Sequence, residues 1–197
     1  MKQVFTKMFL GFLFVLVEIN IIALDILPDP LGYFFIYLAL EKIWSEYKIR
    51  NRSRLIAIIL FAFSLPTIFV QQSNADITGA IMSDGWQLYM SALGIGKLIL
   101  VFYVFQIMMK LAKKFGDEEM LKKTEKTSKV YIIAMLIVSC MQPFLMNLDS
   151  DIRTGAGLVL IGVGLIMDIV LLILLFRFRT LETERLDTLE QTTDSNT

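Results

Sequence analysis

Apolar residues in this chain fall into six long blocks separated by short charged segments. The blocks cover residues 4–27, 30–44, 55–70, 86–109, 130–148 and 154–176. Several approach or exceed the roughly 18 residues that mark a membrane-crossing helix. The pattern predicts an all-α polytopic membrane helix bundle. Six transmembrane helices, paired as three hairpins, would fill residues 1–179, and a polar tail would follow over 180–197. The second block is the weakest member. Its 15 residues would rise about 22 Å against a hydrocarbon core of about 30 Å. It would span only with local thinning of the bilayer, or serve as a half-buried hairpin arm.

The segments between blocks carry their own signals. Lys2 and Lys7 followed by "FLGFLFVLV" imitate a signal peptide, but Glu18 and Asn20 come next instead of a small-x-small cleavage site. That predicts an uncleaved first span. "GDEEMLKKTEK" (Gly116–Lys126) reads as a helix capped by Asp117, with Glu118–Lys122 and Glu119–Lys123 as i,i+4 pairs in the favourable order. The tail "TLETERLDTLEQ" reads as a short helix, and "TTDSNT" as disordered.

The stretch "LDILPDPLGYF" (Leu24–Phe34) reads as the turn of the first hairpin. Pro28 disfavours helix at Leu27 and ends the first helix. Asp29 at the N-cap and Pro30 at the first helical position start the second. Gly32 completes the turn, and Tyr33 is placed at the headgroup level.

Charge then suggests an orientation. Four segments, at the N-terminus, Glu41–Arg54, Lys110–Lys129 and the tail, hold 17 of the 19 basic residues. Six alternating crossings would put all four on one side, which the positive-inside rule makes cytoplasmic. The expectation is a multi-pass protein of the cell membrane with both termini inside. Trp44 and Tyr131 would lie at the inner interface, and Tyr33 and Trp86 at the outer one. Asp25, Asp29, Asp76, Asp84, Asp149 and Asp151 would make the outer mouth acidic, which either attracts cations or follows from basic residues being kept inside.

Ionisable groups inside apolar blocks are costly. Glu18, Asp25, Lys97 and Asp168 form such a candidate cluster. Glu18 and Asp25 are seven apart and share a helix face, while Lys97 is placed to pair with Glu18 or Asp168. One base cannot neutralise two acids. A surplus acid would hold a proton or welcome a cation, and the simpler alternative is a structural ion pair beside one protonated acid. Pro66 and Pro143 should kink their helices. "LGYFF", "LGIGKLI" and "IGVGLIM" open the second, fourth and sixth blocks with glycine, a hint of a threefold hairpin repeat. Gly157 and Gly164 share a face with Asp168, which suits close helix approach.

Composition narrows the chemistry. The chain is 56% hydrophobic with mean hydropathy +0.65, well above soluble domains. Net charge is zero, so bulk charge implies no nucleic-acid partner. There is no His and a single cysteine, Cys140. That excludes His-ligated metals and haem, His general bases, intramolecular disulfides and Cys-rich metal sites. No Gly-x-Gly-Asp motif or Ser-Gly nucleophile elbow is present. The expectation is a non-enzyme without metal or cofactor.

"EINIIALDILPDPLGYFFIYLAL" resembles a recurring N-terminal hairpin of uncharacterised multi-span membrane proteins of Gram-positive bacteria. That hairpin has an acid and an Asn in the first helix, followed by D-x-L-P-D-x-x-G-Y. Asp25, Leu27, Pro28, Asp29, Gly32 and Tyr33 match it, and Pro30 departs from it. The layout also resembles that of the substrate-binding subunits of energy-coupling-factor vitamin transporters, although their small-residue coupling motif is replaced here by the bulky "FLGFLFVLV". The best expectation is a small-solute or cation binding or permeation component contacting the lipid bilayer, with a small solute or a protein partner unidentified. The alternative is a non-catalytic membrane interaction or regulatory subunit for assembly, immunity or sensing, whose buried charges are structural.

Overall fold

A computed structural model describes residues 2–20, 29–49, 52–73, 84–145 and 149–194. Within these it describes the side chains of 3–16, 29–49, 52–67, 88–142, 144–145, 149 and 152–180. The described chain is all-α, with six helices: α1 (Lys2–Asn20), α2 (Asp29–Tyr47), α3 (Ser53–Ser73), α4 (Asp84–Phe115), α5 (Glu118–Leu145) and α6 (Ser150–Asp194).

Local chemistry sets several boundaries. α2 opens on Asp29 and Pro30, the pair expected to start it. It ends where Lys48 takes a left-handed conformation (φ 53°) and donates its N–H to the Trp44 carbonyl at 3.0 Å. α4 ends on Gly116 (φ 73°), which donates to the Lys113 carbonyl while Asp117 donates to the Ala112 carbonyl. Those two bonds form a Schellman stop that satisfies the last carbonyls of the helix. Asp117 then starts α5: its Oδ1 accepts the Met120 N–H at 2.8 Å, the N-cap expected from sequence. Among the described residues, the ion pair formed along α5 is Glu125–Lys129 at 2.8 Å, not the two expected earlier in the helix. The Lys129 ammonium, by hydrogen bond and by charge, holds the Glu125 carboxyl below its ordinary range.

The helices form a closed ring in sequence order. Each packs on its chain neighbours, and α6 returns to α1. At one end, the basic end, polar and aromatic contacts tie the helices together. Arg54 on α3 pairs with Glu41 on α2 at 2.7 Å and stacks over Trp44. Lys42 on α2 donates to Gln3 on α1. Tyr47 on α2 meets Phe115 on α4 edge-on. The α1–α6 seam is closed by Phe5 stacked on Phe178, with ring centroids 5.3 Å apart, and by Phe9 edge-on to Phe176.

α1 and α2 make the closest contact. A Cβ placed on Gly11 would lie 2.7 Å from the Gly32 carbonyl oxygen, and one on Gly32 would lie 2.7 Å from the Gly11 carbonyl oxygen. The two backbones therefore touch, as only glycines allow. Gly32 is thus a packing residue inside α2, not part of a turn. By contrast, a Cβ placed on Gly155, Gly157, Gly162 or Gly164 of α6 would meet nothing within 4 Å. The close approach expected at Gly157 and Gly164 does not occur among the described residues, where no neighbouring atom comes within 4 Å of that Cβ position.

α3 continues through Pro66. Proline supplies no N–H, and nearby carbonyls are taken by side chains. Ser64 donates to Phe61, Thr67 donates to Ser64 at 2.7 Å, and Tyr89 from α4 donates to Phe63. Such side chains are what let a proline persist inside a helix in a poorly hydrated setting.

Two helices, not six, are long and apolar enough to cross a membrane among the described residues: α4 over Leu88–Phe115 and α6 over Ile152–Thr180. This corrects the six spans and, with them, the multi-pass arrangement with both termini cytoplasmic. α2 carries Asp29, Glu41, Lys42 and Glu46 within its 19 residues. The first half of α5 is charged up to Lys129, because the helix expected in the loop and the apolar block behind it are one continuous helix. α1 and α3 offer shorter apolar stretches, Gln3–Leu16 and Ser53–Thr67. The tail likewise continues α6 to Asp194 instead of ending in a separate short helix. Pro28 and residues 21–27 lie outside the described residues.

The glycine contact gives the first prediction. Gly32→Ala should lower stability by about 1–3 kcal/mol, because the methyl meets backbone that cannot yield. Gly157→Ala, facing open space, should be neutral or raise stability by up to about 1 kcal/mol. Thermal unfolding of both variants in the same detergent checks the contrast.

Candidate functional site

Of the four ionisable residues singled out in the sequence, the structure brings two together. Lys97 on α4 donates from Nζ to Asp168 Oδ2 on α6 at 2.7 Å. Each residue is only 7% exposed. The side chains of Glu18 and Asp25 lie outside the described residues. The other Asp168 oxygen, Oδ1, accepts the Tyr131 hydroxyl of α5 at 2.8 Å. Three consecutive helices thus meet on one carboxylate, with a donor on each of its oxygens.

Each partner is held by its own surroundings. Tyr131 is fully buried, and its ring lies edge-on to Phe105 on α4, with centroids 5.6 Å apart. It is not the interfacial anchor expected of it. Tyr33 is also buried, 3% exposed, and its phenol lies within electrostatic reach of Tyr131. The aromatic of the hairpin motif therefore faces the interior, not a headgroup layer. Trp44 is 44% exposed at the basic end under Arg54.

The sequence reading missed Tyr131, although a signal was available. Thr124, Ser128 and Tyr131 follow at i, i+4 and i+7, so three polar residues share one face of a helix whose other buried position there is Met120. That face points inward, and all three side chains are buried. Thr124 Oγ1 has no hydrogen-bond partner among the described residues.

The cluster also marks where the buried stretch of α5 ends and that of α6 begins. Tyr131 is the last buried residue of α5: from Ile132 to Leu145 none is buried among those described. Asp168 is the first buried residue of α6, since none from Ile152 to Met167 is buried. On the side of the basic end lie Leu100, Val101, Val104 and Phe105 of α4, and Leu171, Leu174 and Leu175 of α6, all nearly sealed. On the other side Phe144 and Leu158 are 63% and 66% exposed.

Chemically, the cluster is a neutral ion pair with a phenol donor. A buried charge is tolerated only when paired and hydrogen-bonded, and both Asp168 oxygens meet that condition. Among the described residues no three His, Cys, Asp or Glu side chains converge as a metal site would need. Cys140 is exposed.

Comparison with protein-family models, with curated proteins and with solved structures gave no match. The site is therefore read from its own geometry.

That geometry predicts an asymmetry between single and paired substitutions. Lys97→Met alone should destabilise by about 3–5 kcal/mol, because it leaves the Asp168 charge buried without a counter-ion. The double variant Lys97→Met with Asp168→Leu should recover most of that loss. Tyr131→Phe should cost about 1.5–3 kcal/mol, the range for a hydrogen bond to a charged acceptor. Denaturation of the four proteins in one detergent measures all three differences.

Proposed function

We propose that this chain is a membrane-associated, non-catalytic interaction or regulatory subunit of the assembly, immunity or sensing kind, in which the buried charges are structural. The observation that carries this reading is the occupancy of Asp168. One oxygen holds Lys97 and the other holds Tyr131, so the carboxylate presents a filled and neutralised pair to the interior. A permeation site needs an acid free to exchange partners with a passing cation. Among the described residues the cluster contains one acid and one base, without a surplus acid.

Membrane association is supported by surface chemistry. Only 28% of the most apolar stretch of α6, within Ile152–Thr180, is buried inside the protein. Ile133, Ile137, Phe144, Leu158, Val159 and Ile161 stand at least half exposed along α5 and α6. A contiguous apolar surface of that extent calls for a lipid or protein cover.

Two measurements test the reading. The chain should remain in the membrane pellet after an alkaline carbonate wash, and release into the supernatant would refute membrane association. Vesicles containing the purified chain should show no faster sodium or potassium entry than empty vesicles. Flux that disappears in the Lys97→Met, Asp168→Leu double variant would instead establish permeation through the cluster.

A further inference from the structure

An open groove of about 640 Å³ runs along one face of α6 near the basic end. Its α6 lining is Ile169, Leu172, Ile173, Phe176, Arg177 and Thr180, which follow at i, i+3, i+4, i+7, i+8 and i+11 and so form one helical stripe. Phe9 of α1 and Met120 of α5 complete it. Leu172 and Met120 are buried and form the floor, while Ile169, Ile173 and Phe176 are 40–53% exposed. The volume lies within the range of about 300–1,000 Å³ typical of small-molecule sites.

The groove is apolar along most of its length and cationic at one end. Arg177 is exposed there and makes no ion pair with any described residue, whereas Arg54, Lys42 and Lys129 are paired with acids. Arg179 stacks its guanidinium over Phe176, 5.5 Å from the ring centroid, and so adds a second positive charge at the same end. Met120 brings in the start of α5, within the segment Lys110–Lys129 that holds seven lysines and four acids. The apolar run of α6 also ends here, since Arg177, Arg179, Glu182, Glu184 and Arg185 follow Phe176 in the sequence. From Ile169 to Thr180 the helix rises roughly 16 Å, about half of a hydrocarbon core. The groove is therefore one leaflet long, with its positive charge where headgroups lie.

We infer that this groove seats one anionic phospholipid, with an acyl chain along Ile169, Ile173 and Phe176 and its phosphate at Arg177. The assignment rests on the membrane association proposed above. Charge complementarity selects the headgroup: a bidentate guanidinium suits a phosphate, and the choline of a zwitterionic lipid would bring a cation toward two arginines. Apolar walls select a lipid over a free anion, which would gain nothing from Ile169 or Ile173.

Native mass spectrometry of the full chain in detergent micelles tests this, with dioleoyl phosphatidylglycerol or dioleoyl phosphatidylcholine added at equal concentration. Phosphatidylglycerol should be retained about fivefold better, the preference expected of one basic residue at a headgroup. Arg177→Gln should abolish the preference, and Lys110→Gln, an exposed lysine outside the groove, should keep it. Ile173→Trp fills the groove without touching its charge and should reduce retention of both lipids. Equal retention by the unaltered chain, or a preference that survives Arg177→Gln in a folded protein, overturns the inference. Inorganic phosphate should leave bound phosphatidylglycerol in place, and its displacement would make the free anion the occupant and also overturn the lipid assignment. The carbonate wash separates the two proposals. A chain released from membranes fails the membrane reading, and a chain that stays but shows no headgroup preference fails the groove alone.

Discussion

A carboxylate enclosed by apolar side chains must be met by donors or lose its charge, and Asp168 is met by two. That requirement fixes more than one contact. Lys97 has to reach from α4 and Tyr131 from α5, so α4, α5 and α6 have one register in which the three groups coincide. On α5 and α6 the join at Asp168 falls where the buried positions end and begin. Apolar packing tolerates small slips, because one isoleucine can replace another against a neighbour. An ion pair with a 2.7 Å contact does not.

The α1–α2 pair solves a different problem by different means. Beside the exposed Lys42–Gln3 bond at one end, its register is set by backbone contact at Gly11 and Gly32. Val15 and Ile36 then close around those glycines. One half of the ring is therefore positioned by shape and the other by charge. The Phe5–Phe178 stack joins the halves, so a register set at Gly32 and one set at Asp168 must be compatible across the α1–α6 seam.

What the sequence revealed depended on how local the signal was. Helix existence was legible because long apolar blocks leave few other options, and the cap at Asp117 was legible because capping involves four adjacent residues. Lys97 was identifiable as a residue needing an acid, although the sequence alone could not choose Asp168 over Glu18. Crossing the membrane was misread. Block 30–44 reads as apolar although Glu41 and Lys42 fall within it, and α2 carries both, with Asp29 and Glu46, inside one helix. The glycines were misassigned for a related reason. "IGVGLIM" and "LGYFF" look alike in sequence, but whether a second helix lies alongside is a tertiary fact, true at Gly32 and, among the described residues, untrue at Gly162 and Gly164. Tyr131 was lost because an aromatic with a hydroxyl fits an interface as well as a buried donor role.

α6 is a single helix of 45 residues, and Asp168 divides it unequally in stiffness. From Asp168 to Asp194 the sequence contains neither glycine nor proline. On the other side, four glycines fall within ten residues, from Gly155 to Gly164, and among the described residues nothing packs within 4 Å of their Cβ positions. The stiff part rises roughly 39 Å from Asp168 to Asp194, and it is gripped from Asp168 as far as Phe178, which stacks on Phe5. A torque applied near Asp194 therefore meets the Phe5–Phe178 seam before it reaches the Lys97 and Tyr131 bonds, and the glycine segment lies beyond both.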